Sequence, residues 1–206
     1  MLATAGMRML PVKSQNTILS ELRRRIPRLT SFYFADNHAA VITGKEEGLY
    51  AWISANYVLG RLRVDDQGAR ADSVGIIDMG GGSTQIAFEV PEQGNIDSAD
   101  FAQFNLGATD STHLEYRLYV TTHLGFGANV ANNKYHEMLM NQFDRQDQAI
   151  AGAVNLTKLL IYNTVAISDP CLPPGATVES DGVEFIGAGN YSQCYQSLRP
   201  LLHKVF

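Results

Sequence analysis

The sequence holds few charges, few cysteines and no long apolar run, and each shortage removes a class of protein. Only 18% of its 206 residues are charged, and acidic residues outnumber basic ones to leave a net charge of −5. A nucleic-acid partner needs a clustered basic surface to neutralise phosphates, so the composition argues against one. The single basic run, Arg23-Arg24-Arg25 with Arg28, closes an expected helix, where positive charge complements the macrodipole. No stretch approaches the ~20 apolar residues of a membrane span. The amino end meets Arg8 too early to be a signal peptide. The two cysteines, Cys171 and Cys194, are too far apart for a CxxC redox site or a zinc knuckle. They are either two separate buried thiols or the ends of one closed loop. Two glycosylation triplets, Asn155-Leu156-Thr157 and Asn190-Tyr191-Ser192, shift the balance toward an oxidising lumen. The five histidines have no metal-ligand spacing, and His136-Glu137 lacks the second histidine of an HExxH helix. They are expected on the surface or as satisfied core residues.

What the sequence does have is 45% apolar side chains, enough to bury a core, and eighteen glycines against seven prolines. That glycine excess favours strands, tight turns and close backbone approaches. Helical spacing of Ile18, Leu19, Leu22 and Ile26 predicts a helix over 14–25, stopped by Pro27. Residues 39–42 read as a short strand entering a second helix over 45–59, with Leu49, Trp52, Ile53 and Asn56 on one face and Gly60 as its stop. A polar loop over 61–72 precedes a strand at 74–77, a glycine turn at 78–84 and an alternating strand at 85–90. This is a hairpin with an aspartate at its tip. Further strands are expected at 101–106, 115–122 and 183–186, and helices at 129–143 and 191–202. Residues 149–165 read as helix or loop.

Three segments carry residues suited to phosphate chemistry. In Ile77-Asp78-Met79-Gly80-Gly81-Gly82-Ser83-Thr84-Gln85, a strand delivers a carboxylate, and three residues without side chains then let backbone N–H groups approach an anion. Ser83 and Thr84 add hydroxyl donors, and Asp78 is a hard oxygen ligand suited to hydrated Mg²⁺ or Ca²⁺. An ordinary glycine hairpin is the plain alternative, but the whole combination favours phosphate. It is neither a GxxxxGK[ST] loop nor a dinucleotide fingerprint. In Ile42-Thr43-Gly44-Lys45-Glu46-Glu47-Gly48, two carboxylates sit at a helix start, where the macrodipole favours the ionised form. Such a carboxylate can take a proton from an attacking water, although glutamates in first turns are also ordinary capping residues. In Ala3-Thr4-Ala5-Gly6-Met7-Arg8, small residues precede a cation that suits either a phosphate contact or a structural ion pair.

Together and in this order, the three segments resemble successive signature regions of the ecto-nucleoside triphosphate diphosphohydrolase (apyrase) family. Residues 3–8, 42–60 and 75–90 are similar to its second, third and fourth regions. Residues 115–120, 124–129 and 169–173 resemble the intracellular branch of Golgi and lysosomal uridine-diphosphatase-like enzymes. The resemblance implies an α/β fold of the actin, hexokinase and chaperone (RNase H-like) kind, with two lobes around the nucleotide. Residues 1–43 would be the remnant of the first lobe and 44–206 part of the second. It implies metal-dependent hydrolysis of the terminal phosphate of nucleoside di- or triphosphates, by in-line attack of water. Glu47 is then the base, Glu46 a more variable position, and Ser83 and Gln85 the groups that position the water. Asp78 holds Mg²⁺ or Ca²⁺ through water, and Gly80, Gly81, Gly82, Ser83 and Thr84 grip phosphate, with Thr4 beside the terminal one. Cys171 and Cys194 match a family disulfide. A Golgi or endomembrane lumen follows, or else the extracellular face, with membrane anchors outside these residues and uridine or guanosine diphosphate as substrate.

The family's first region, an Asp-x-Gly-Ser-Ser loop, and its fifth, which carries an aromatic against the base, have no counterpart here. The chain also begins inside a motif, so the 206-residue polypeptide is expected to be a truncated and inactive piece of such an enzyme. One rival is the exopolyphosphatase family, which has a similar loop and a paired-glutamate segment. It carries Glu in place of Gln85 and lacks the Tyr50 and Trp52 setting, the cysteine pair and the sequons. The other rival is a non-catalytic nucleotide-binding module.

Overall fold

A computed structural model describes residues 1–64, 68–91, 100–107, 114–153 and 165–202. They divide into two compact units, Met1–Val130 and Ala131–Phe206. In the first, β1 (Leu2–Ala3) leads through the turn α1 (Ala5–Arg8) into α2 (Val12–Leu29), and β2 (Ala40–Val41) returns parallel to β1. Helix α2 does not stop before Pro27 as expected but runs two residues past it. Proline removes only the bond to the Arg23 carbonyl, and the Thr30 N–H closes the end on Ile26 at 3.1 Å. Of the basic run, Arg24 and Arg25 both pair with Glu21. Arg23 instead donates to the carbonyls of Asp36 and Ala39, tying the return segment to α2.

Next comes α3 (Gly44–Val58), followed by four antiparallel strands, β3 (Ile76–Met79), β4 (Ser83–Glu89), β5 (Phe101–Asn105) and β6 (Glu115–Leu124). The sheet order is β3-β4-β6-β5. Strand β6 alternates strictly, turning Tyr116, Leu118 and Val120 inward. Helix α3 meets that face along Gly44, Gly48, Trp52 and Asn56, spaced four apart. Gly48 sets the approach, because a Cβ there would lie 2.9 Å from Val120 and 3.3 Å from Gln85. Trp52 is fully buried, with ring centroids 5.2 Å from Tyr116 and 6.2 Å from Phe104. Asn56 is buried and bonded through both amide atoms to the backbone of Val74, which fastens the approach to β3 onto the helix.

The second unit holds most of α4 (Ala128–Ala153), then β7 (Val165–Asp169), β8 (Thr177–Ser180), β9 (Val183–Gly187) and α5 (Tyr191–Leu202). Its sheet order is β7-β9-β8. Neither β7 nor β8 was legible from alternation. Tyr135, Leu139, Ile167 and Phe185 form the core. Buried Asp169 accepts from the Tyr135 hydroxyl and the Cys171 N–H, both at 2.7 Å. His136 stacks on Phe185 at 4.1 Å but leaves Nδ1 without a partner among the described residues, so it is not the satisfied core histidine expected. Cys171 and Cys194 are bridged. The Asn155 sequon, His113 and His203 lie outside the described residues. Among the described residues, no helix is long and apolar enough to cross a membrane.

The start of α3 is held by a reciprocal cap. The Glu46 N–H donates to the Thr43 hydroxyl at 3.1 Å, and the Glu46 carboxylate accepts from the Thr43 N–H and hydroxyl. Those two bonds, the backbone one foremost, hold the Glu46 carboxyl below its ordinary range. Its contribution is therefore complete above the usual glutamate pKa and is lost as pH falls through the lowered native value. Thr43→Ala is expected to destabilise the first unit by about 1 kcal/mol near neutrality. Urea titrations at pH 7 and at pH 3 should show that difference shrinking in acid.

Candidate active site

The β3–β4 hairpin closes through the Gly80 N–H on the Ser83 carbonyl at 3.0 Å. Its three glycine carbonyls are then all taken by the chain that follows β6. The Gly80 carbonyl accepts from Ala128 at 2.8 Å, Gly81 from Asn129 and Val130 at 3.1 Å each, and Gly82 from Gly125 at 2.8 Å. In a trans peptide the C=O of one residue and the N–H of the next point in opposite directions. Anchoring the Gly80 and Gly81 carbonyls on one side therefore turns the Gly81 and Gly82 N–H groups to the other. Among the described residues neither N–H has an acceptor. That side is a cleft of about 360 Å³ lined by Thr4, Ala5, Glu47, the three glycines and Ser83. Side chains would fill this space, since a Cβ on Gly82 would lie 3.0 Å from Ala5 and 2.9 Å from Met9.

Three elements bring charge and hydroxyls to this cleft. Arg8, at the end of α1, donates to the Ile42 carbonyl at 2.9 Å, to Glu47 Oε2 at 2.7 Å and to Ser83 Oγ at 3.1 Å. Of the two readings open for Arg8, the ion pair is the one present, with side-chain exposures of 14% for Arg8 and 18% for Glu47. The glutamates divide cleanly: Glu46 caps the helix, and Glu47, one residue on, lines the cleft. Ser83 and Gln85 alternate onto the α3 side of β4 and are each 1% exposed. Gln85 Nε2 donates to Ser83 Oγ at 2.8 Å and to Thr122 Oγ1 at 3.0 Å.

The remaining expected residues are placed less centrally. Thr84 turns to the opposite face, and its hydroxyl donates to the Phe126 carbonyl at 2.6 Å. Thr4 lines the cleft with no capping bond from its side chain. Asp78 is exposed at the end of β3, opposite Gln85 in register and so on the same sheet face. Its carboxylate has no hydrogen bond or ion pair among the described residues, where no cluster of three or more metal-ligand side chains occurs. A lone, open carboxylate fits a hydrated divalent cation that keeps most of its waters. Two participants escaped sequence reasoning: Thr122, which holds the Gln85 amide, and the Gly125–Val130 segment that anchors the turn. Glycines flanking Phe126 ahead of a helix start were the available signal for the second; a lone threonine in a strand gave none for the first.

Open amides, a carboxylate and bonded hydroxyls in one cleft of an α/β unit are the equipment of a phosphate-handling protein. The chain belongs to the GDA1/CD39 (nucleoside phosphatase) family, whose model matches residues 1–205. It is 40% identical to ectonucleoside triphosphate diphosphohydrolase 7 of Xenopus tropicalis over 98% of this chain and 37% of that protein. It is 37% identical to the nucleoside-diphosphatase mig-23 of Caenorhabditis elegans over 98% of this chain and 36% of that one. The chain thus spans little more than a third of the length of these relatives. Its structure is similar to a crystal structure of nucleoside triphosphate hydrolases from Neospora caninum, with a TM-score of 0.60 and 18% identity over 96% of this chain and 45% of that one. The family and the α/β fold class are those the sequence led us to expect.

Gly127 is the point at which the anchoring is most exposed to test. A Cβ there would lie 2.4 Å from the Gly82 nitrogen and 2.5 Å from the Gly80 oxygen, both backbone atoms that cannot turn aside. Gly127→Ala in the full-length protein is expected to displace the turn. Affinity for a non-hydrolysable nucleoside diphosphate, measured by calorimetry, should weaken at least about tenfold, the scale of one charge-assisted hydrogen bond.

Proposed function

We propose that the protein carrying this chain hydrolyses the terminal phosphate of nucleoside di- and triphosphates by direct attack of water. One observation carries the reading: Glu47 and Ser83 share a cleft with two backbone N–H groups that lack acceptors among the described residues. The Gly81 and Gly82 amides, with the Ser83 and Thr4 hydroxyls, would grip phosphate oxygens on which charge builds in the transition state. Thr84 would add its backbone rather than its hydroxyl, which is engaged elsewhere. Water, poised by Ser83 and Gln85, forms the new O–P bond as the bond to the bridging oxygen breaks. Its proton passes to Glu47, and orthophosphate and the shortened nucleotide are released. Arg8 keeps the Glu47 carboxylate aimed through the 2.7 Å contact. Asp78 would hold Mg²⁺ or Ca²⁺ through water, and that ion would neutralise charge on the phosphate oxygens.

In this reading residues 1–43 are the remnant of a first α/β lobe and 44–206 part of a second, although the chain packs into compact units that divide at Val130. The Cys171–Cys194 bridge supports an oxidising lumen such as the Golgi or another endomembrane compartment. A relative named as a nucleoside-diphosphatase supports diphosphates as substrates, and the branch resemblance points among them to uridine or guanosine diphosphate.

Glu47→Gln in the full-length protein should lower turnover by about 10²–10⁴-fold, the range of a positioned base. Binding of the non-hydrolysed nucleotide should stay within a few-fold of wild type. Unchanged turnover with UDP, GDP and their triphosphates would remove Glu47 from this role. Preferential hydrolysis of inorganic polyphosphate over these nucleotides would move the protein to the exopolyphosphatase reading.

A further inference from the structure

The Gln85 amide is held from two sides, and Thr122 supplies one of them. A glutamine amide nitrogen has two protons. Both are spent here, one on Ser83 Oγ at 2.8 Å and one on Thr122 Oγ1 at 3.0 Å. Gln85 Oε1 accepts nothing among the described residues. It is also absent from the buried polar atoms that lack a partner, which are Trp52 Nε1, the Tyr116 hydroxyl and His136 Nδ1, so solvent reaches it. Ser83 Oγ, for its part, accepts from Gln85 and from Arg8 at 3.1 Å. A serine hydroxyl has two lone pairs and one proton. With both lone pairs occupied, its proton is the part left to donate.

The consequence for a water between these groups is specific. It can donate one proton to Glu47 and the other to Gln85 Oε1, and accept from the Ser83 hydroxyl. One lone pair then remains for phosphorus. With the Gln85 amide turned over, the same water would meet N–H groups instead of an acceptor, and the Ser83 proton would be drawn back to Oε1. The Thr122 hydroxyl, accepting the second amide proton, anchors the amide in the place it takes in the first arrangement. It stands directly opposite Gln85 in the β4–β6 register. Its β-branched side chain is stiff at χ1, and it lies where Gly44 leaves room, since a Cβ on Gly44 would come 2.2 Å from Thr122 Oγ1. The bare first residue of α3 thus admits the group that orients Gln85, on the same helix that carries Glu47.

We propose that Thr122 is a positioning residue for hydrolysis, acting through the Gln85 amide to aim its carbonyl oxygen at the attacking water. This rests on the hydrolase reading, so the experiment must separate the two. In the full-length protein, Thr122→Val is expected to lower kcat for a nucleoside diphosphate about tenfold, the scale of one hydrogen bond, with KM within twofold. Thr122→Ser should restore kcat, because it keeps the hydroxyl. In a Gln85→Ala background, Thr122→Val should add less than a twofold loss, as required of a residue that works through Gln85. Thermal melting checks that the variants are folded, and Thr122→Ala serves the same comparison if valine disturbs the sheet. Wild-type kcat in Thr122→Val, or its full loss repeated on top of Gln85→Ala, would overturn the role of Thr122 while leaving hydrolysis standing. Absence of nucleotide turnover in the wild-type protein would instead overturn the hydrolase reading and this proposal with it.

Discussion

The backbone between Gly125 and Val130 takes up every carbonyl of the Gly80–Gly82 turn, and the chemistry of the cleft follows from that. A three-glycine turn left to itself has many conformations and no fixed polarity. Pinning its carbonyls to one side makes the opposite side a surface of N–H donors, at a place where Ala5 and Met9 leave little room for a side chain on Gly82. The donors are set in advance, so an anion placed there would require little reorganisation. Gly127 is itself bare because it lies against the turn it anchors.

Around this turn, the chain solves the difficulty of placing a carboxylate beside an anion site. The two glutamates at the start of α3 have neighbouring positions but separate tasks, one closing a capping box with Thr43 and the other meeting Arg8. Arg8 touches both Glu47 and Ser83, so the amino-terminal segment, α3 and β4 meet at one guanidinium. Planar and always charged, that group suits an assembly in which several acceptors must be held at fixed angles. Beneath it, the Trp52, Tyr116, Leu118 and Val120 core keeps α3 on the sheet, and Gly44 and Gly48 let the helix come close enough for Gln85 and Thr122 to lie under it.

The parts of this arrangement that could be read in advance are those encoded over short distances. The hairpin with its aspartate and glycines, the helix with its amphipathic face, and the strict alternation of β6 all follow from local periodicity and turn chemistry. The misses have other causes. Pro27 marks a stop by propensity, yet one lost bond in a final turn is not enough to end α2. Strand β7 is short and pairs in parallel with β9 rather than with a neighbour in sequence, and β8 is only four residues long, so alternation within either is too brief to register; the Asp181-Gly182 turn that joins β8 to β9 was the local signal available. His136 was expected on the surface or satisfied in the core, but it is buried against Phe185 and its Nδ1 has no partner among the described residues.

By itself, the sequence determined the family, the class of fold and the position of the three-glycine turn, because each is written in contiguous residues whose physical constraints are local. A strand end, a run without side chains and a capped helix start mean the same thing wherever they occur. Only the tertiary structure decided that Arg8 pairs with Glu47, that Thr84 turns away while Ser83 stays, and that Thr122 completes the bonding of Gln85. Those outcomes depend on hydrogen bonds between residues tens of positions apart. Register and packing fix them, and the identity of the residues alone does not.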